Sequence, residues 1–241
     1  MIDKLLEKQA DSKDLVLIKT DLEKQVQVAR RQGMIPIFNV KYKSGFLLEV
    51  MYTALSEGYV KLVEFILNCG VSMRQYITHN YRKSSMLHIA AGHGHVRLVQ
   101  FLLEQRADIH AKCWLSRTPL TQSVVHNHIQ VAQLLLNHGV SINARDKYAN
   151  TALLLAALKG RNEIVELLLQ KGADVDMCGQ FNRSPLMMAA ECSHVQTVEL
   201  LINHGASVNA SNKFGNTAMS LALTNNHDNI VQLLLLHGAH K

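Results

Sequence analysis

Several kinds of signal are missing from this chain. Its four cysteines (Cys69, Cys113, Cys178, Cys192) include no Cys-x-x-Cys pair. That argues against a disulfide framework and for reduced thiols in cytosol or nucleus. No apolar run approaches the length needed to span a bilayer, so membrane insertion is not expected. The opening MIDKLLEKQADSKD carries no apolar core of the secretory kind. No GxGxxG, P-loop or GxSxG pattern occurs, and no polar set recurs at catalytic spacing, so an enzyme is not expected. Acid is in deficit, with 19 aspartates and glutamates against 25 lysines and arginines, a net charge of +6. Yet there is no basic run and no RNA- or DNA-binding motif, which weighs against nucleic acid as the partner.

What the chain does have is a phrase repeated at a fixed interval. Ser85, Thr118, Thr151, Ser184 and Thr217 open SMLHIAA, TPLTQSV, TALLLAA, SPLMMAA and TAMSLAL, each 33 residues after the last. Apolar runs follow in every copy: VRLVQFLL, IQVAQLLL, NEIVELLL, VQTVELLI and DNIVQLLL. An earlier copy, VMYTALSEGYVKLVEFILNCG from Val50, aligns when Gly58 is laid on Gly94, a spacing of 36. The loop between Gly70 and Ser85 is therefore longer than its counterparts. A period of this length marks stacked supersecondary units.

Each copy predicts two helices. The opening Ser or Thr is an N-cap, with proline in the first turn at Pro119 and Pro185, where a missing N–H costs nothing. Ala90, Ala91, Ala156, Ala157, Ala189 and Ala190 permit close helix packing. The second helix is apolar at i, i+3, i+4, as in Leu98, Phe101 and Leu102. It ends at Gly70, Gly139, Gly172, Gly205 or Gly238, which suit a left-handed cap. Arg106 breaks the series, so its helix end should be strained or differently capped. One copy alone cannot bury its apolar face; a stack can.

These motifs resemble the ankyrin-repeat family, whose copies open T-P-L-H-x-A-A and close G-A-x-[VI]-[ND]. SMLHIAA at 85–91, GADVD at 172–176 and GASVN at 205–209 carry the resemblance. The family's histidine in the first phrase survives only as His88; Tyr52, Thr121, Leu154, Met187 and Ser220 stand in its place elsewhere. The fold implied is an all-α repeat, an α-solenoid of helix–turn–helix units with β-hairpin finger loops, preceded by an N-terminal helical segment. Residues 49–241 divide into copies at about 49–79, 80–112, 113–145, 146–178, 179–211 and 212–241.

Residues 1–48 lie outside the repeats. Leu15, Ile18, Leu22 and Val26 recur at helical spacing, and Gly33 and Pro36 terminate the run. Nine basic residues against six acidic ones leave this segment at +3. A helix capping the first repeat is the plain reading, since terminal repeats need a polar cover. A separate partner-binding or targeting helix is the other.

Seven of the 13 histidines fall into two framework columns. His95, His128, His194 and His227 share the turn between helices, while His138, His204 and His237 share the end of the second helix. They repeat because the fold repeats. His88, His93 and His95 lack a nearby cysteine or carboxylate pair, so no metal site, cofactor or small-molecule substrate is expected.

With the framework fixed by packing, the residues that vary can specify a partner. The resemblance implies that finger tips and the inner face of the first helix bind a protein or peptide. The tips read KCWLSR (112–117), RDKYAN (145–150), CGQFNR (178–183) and SNKFGN (211–216). Leu115, Tyr148, Phe181 and Phe214 form an apolar column, with Trp114 beside it and Lys112, Arg117, Arg145, Lys147, Asn150, Arg183 and Lys213 around it. The inner helices add His126, Lys159 and Glu191. Apolar tips ringed by cations suit a partner with an acidic and apolar segment. A rival reading has each ring merely packing on the next finger. The resemblance also implies asparagine hydroxylation, for which Asn143 with Leu135 and Asn209 with Leu201 have the family spacing. The function expected is a non-enzymatic interaction scaffold in cytoplasm or nucleus. An adaptor or autoinhibitory segment of a larger protein, or a bacterial effector acting on host proteins in the host cytoplasm, stays open.

Overall fold

A computed structural model describes residues 51–68, 71–74, 77–79 and 82–240. The cap expected of residues 1–48, and Cys69 and Gly70, lie outside the described residues.

Helices come in antiparallel pairs. Helical residues 51–56 precede α1 (Val60–Asn68). Then follow α2 (Met86–Gly92) with α3 (Val96–Glu104), α4 (Pro119–Val125) with α5 (Ile129–Asn137), and α6 (Ala152–Leu158) with α7 (Asn162–Gln170). The series closes with α8 (Pro185–Glu191) and α9 (Val195–Asn203), then α10 (Ala218–Thr224) and α11 (Asp228–Leu236). Even-numbered inner helices from α2 to α10 stack on one another, and so do odd-numbered outer helices from α1 to α11.

The caps form much as the sequence implies. The Thr118, Thr151, Ser184 and Thr217 hydroxyls accept from the backbone N–H three residues on, at 3.2–3.3 Å. Ser85 differs, because its hydroxyl lies 2.7 Å from His88 Nδ1. His88 Nε2 donates to the Arg117 carbonyl at 2.7 Å, so Nδ1 is bare and accepts from Ser85. This one surviving histidine ties its own helix start to the next finger. At Ser220 the substitution is absorbed locally: Thr217 and Ser220 cap one another reciprocally.

Outer helices end in a double bond pattern. Gly139 N–H reaches Leu136 and Val140 N–H reaches Leu135, and the same pair recurs at Gly172, Gly205 and Gly238. Arg106 makes those bonds too, to Leu103, with Ala107 to Leu102, at a φ of 62°. Of the two outcomes expected there, the cap is ordinary and the backbone is strained; a side chain in the left-handed region costs about 1 kcal/mol.

The histidine columns have structural work. His138, His204 and His237 donate from Nδ1 to the carbonyl four residues back at 2.9 Å, satisfying a helix-end acceptor. His95, His128, His194 and His227 donate from Nε2 to carbonyls of the preceding copy (Ser56, Gly92, Leu158, Glu191). Three of these rings press their bare Nδ1 edge on Gly58, Gly94 and Gly160, where a Cβ would come within 2.5–2.6 Å. The Gly–His turn is thus a stacking device between copies.

The fingers depart from expectation. Among the described residues only the first carries strands, β1 (Ile77–His79) antiparallel to β2 (Arg82–Ser84), pairing Ile77 with Ser84. The others are tight tips without a strand ladder: the bond that closes each one encloses only three residues, as between Cys113 and Arg117.

Candidate functional site

Each later finger is closed by a bond from the N–H of Cys113, Asp146, Gly179 or Asn212 to the carbonyl four residues on, at 2.9–3.0 Å, with a second, shorter-range backbone bond inside the tip. The turn needs a left-handed residue, supplied by Ser116, Ala149, Asn182 and Gly215 at φ 57–77°. In two fingers a buried side chain sets the tip. Asp146 Oδ1 accepts from Tyr148 and Asn150 N–H at 2.8 and 2.9 Å, and Asn212 Oδ1 from Phe214 and Asn216 at 2.8 and 3.0 Å. Neighbouring fingers are joined by single backbone bonds, from Trp114 to Lys83, Lys147 to Leu115 and Lys213 to Phe181.

This scaffold holds the apolar side chains out. Trp114, Tyr148 and Phe181 are each 46–47% exposed and Phe214 is 69% exposed, while Leu115 is half-buried. The Phe181 and Phe214 rings lie 5.6 Å apart at 44°, so packing on the adjacent finger operates at that end of the ridge.

The cations divide into two groups. Arg117 pairs with Asp146 (Nε to Oδ2, 3.3 Å), whose side chain is fully buried, and Arg183 pairs with Glu191. Arg145 donates to the Cys178 carbonyl at 3.1 Å across to the next finger. These arginines brace the fingers. Lys112, Lys147, Lys159 and Lys213 are exposed and have no ion-pair partner among the described residues. His126 is exposed, its Nδ1 donating to the Gln122 carbonyl; Asn150 is half-buried, its N–H held by Asp146.

A family model for ankyrin repeats (3 copies) matches residues 34–113, 87–178 and 153–241. The chain belongs to the ankyrin-repeat family. Ankyrin repeats are protein–protein interaction modules and are typically non-enzymatic. Comparison with curated proteins finds no match.

Ankyrin geometry also assigns the asparagine column. Asn143 Oδ1 accepts from Asp174 N–H at 3.1 Å, Asp176 Oδ1 from Ser207 N–H at 2.9 Å, and Asn209 Oδ1 from His240 N–H at 3.1 Å. Asn209 Nδ2 also donates to the Gly238 carbonyl. These side chains bond to the loop of the following copy, not across their own hairpin. Leu135 and Leu201, eight residues earlier, are fully buried. Burial pushes the Cys178 thiol up, with Asp176 adding to it. Among the described residues no three His, Cys, Asp or Glu side chains converge as a metal would require, and no helix is long and apolar enough to cross a membrane.

Sequence reading missed Asp146, the fully buried carboxylate that sets the Tyr148 tip and anchors Arg117. Its signal was available: an Asp four residues before Asn150, the spacing of a side-chain-capped turn.

Proposed function

We propose that the finger ridge and adjoining inner-helix ends bind a protein partner through a segment that is apolar and acidic, without catalysis. The observation that carries this is the exposure of Trp114, Tyr148 and Phe214 on a braced scaffold, beside lysines with no carboxylate partner among the described residues. Rigid aromatic anchors concentrate binding energy, and a basic surround steers an acidic partner. Arg117, Arg145 and Arg183 act as braces in this reading, and Lys112, Lys147, Lys159 and Lys213 as the steering charges. Outer-helix positions Arg97, Gln130, Glu163 and Gln196 are exposed and share no theme. The setting is cytoplasm or nucleus.

The test compares partners captured by the wild-type chain and by Trp114→Ala and Tyr148→Ala, then measures affinity for the captured protein. Each substitution weakens binding by about 2 kcal/mol or more with the fold intact, while Lys147→Glu mainly slows association, more so at low salt. Unchanged binding by both alanine variants sinks the surface.

Asn143 and Asn209 are proposed sites for an asparaginyl hydroxylase. Peptide mass spectrometry of the chain from eukaryotic cells should find one added oxygen on either residue; its absence there counts against the modification.

A further inference from the structure

Away from the ridge, the stack is irregular at one junction. The loop after α1 makes the first spacing 36 instead of 33 residues, and Arg106 takes the left-handed position that glycine holds at 139, 172, 205 and 238. A cavity of about 390 Å³ opens between these two irregularities. Its lining is largely apolar, with Met86 and Leu87 from the start of α2 almost wholly buried, and Met73 and Ala107 beside them. Arg74 and Arg106 stand on its rim, both exposed, and neither has an ion-pair partner among the described residues. Asp108 is the one acidic lining residue among the described residues, and its Oδ1 is engaged by the His110 N–H at 2.9 Å.

We propose that this cavity is a binding site for a small apolar monocarboxylate. The volume falls in the lower range of small-ligand pockets, which are apolar with a few convergent polar groups. Two guanidiniums against one carboxylate leave a single positive charge, which matches a monoanion better than a phosphate dianion. Guanidinium also holds carboxylate bidentately, and the apolar body would lie on Met86, Leu87 and Ala107. Arg106 is the telling residue. Glycine would relieve its backbone, as in four other copies, yet this copy keeps a strained side chain whose cation reaches the cavity rim. Chain-terminal residues of apolar peptides and free fatty acids share this chemistry.

The experiment titrates the intact chain, with labelled methyl groups, against N-acetyl-leucine, octanoate and the neutral N-acetyl-leucinamide. Saturable shifts at Met86, Leu87 and Ala107 are expected with an acid and not with the amide, and the acid that binds tells peptide end from fatty acid. Arg106→Gly restores the glycine of neighbouring copies, so it should fold, and should weaken the acid about tenfold or more. Arg74→Gln should do likewise, whereas Tyr148→Ala, on the ridge, should change nothing here. The site is refuted if neither acid shifts those methyls, if the amide binds equally, or if both arginine variants bind like wild type.

Discussion

At the scale of residues, His88 shows how burial and bonding fix one protonation state. Its ring is 1% exposed, and burial lowers its pKa to about 4 despite the Arg117 carbonyl and Asp108, which raise it. In the unfolded chain it titrates near 6.5. Between about 4 and 6.5 the unfolded state therefore binds more protons, so stability from this group is complete above 6.5 and falls as pH drops toward 4. The loss approaches about 3 kcal/mol at the lower end. Denaturant unfolding at pH 7 and pH 4.5 should show it, and His88→Gln should shrink the pH difference; an equal difference in that variant would locate the titration elsewhere. Glycines divide on the same physical grounds. Gly139 is left-handed with open space where a Cβ would stand, so Gly139→Ala should cost about 1 kcal/mol. A Cβ at Gly94 would also meet His128 Nδ1 at 2.5 Å, so Gly94→Ala should cost clearly more, about 2 kcal/mol or above. Equal losses in melting experiments would mean the histidine gives way freely.

At the scale of elements, much of the molecule was legible in the chain. The 33-residue interval located every helix pair from α2 to α11, and the Ser or Thr before each inner helix marked its cap, because both signals are local. What was not legible depends on partners distant in sequence. Ser85 looks like its neighbours but bonds His88 instead of a backbone N–H, and the Arg117–Asp146 pair spans 29 residues. The cationic ring around the finger tips read as uniform in composition, yet three of its arginines are consumed in bracing and the lysines are not. Strands were expected in every finger and occur, among the described residues, only in the first, since tip length and not family likeness decides whether a ladder fits.

At the scale of the molecule, two clusters of large exposed apolar side chains stand out among the described residues. One is the finger ridge. The other is the last helix pair, where Leu223, Leu235 and Leu236 are 44%, 52% and 82% exposed. Leu236 occupies a position held by Glu104, Asn137, Gln170 and Asn203 in other copies, all of them exposed, so packing within the stack does not call for an apolar residue there. Exposed apolar clusters promote association. Light scattering across a concentration series should show self-association that Leu236→Gln reduces with no loss in melting temperature; identical behaviour would acquit the residue. The ridge carries the central claim, and site-specific photo-crosslinking tests it most directly. A photoreactive residue placed at Tyr148 or Phe214 should capture a protein in cells, and the same group at Gln130 or Glu163 on the outer helices should not. Capture from the outer helices alone would contradict the account.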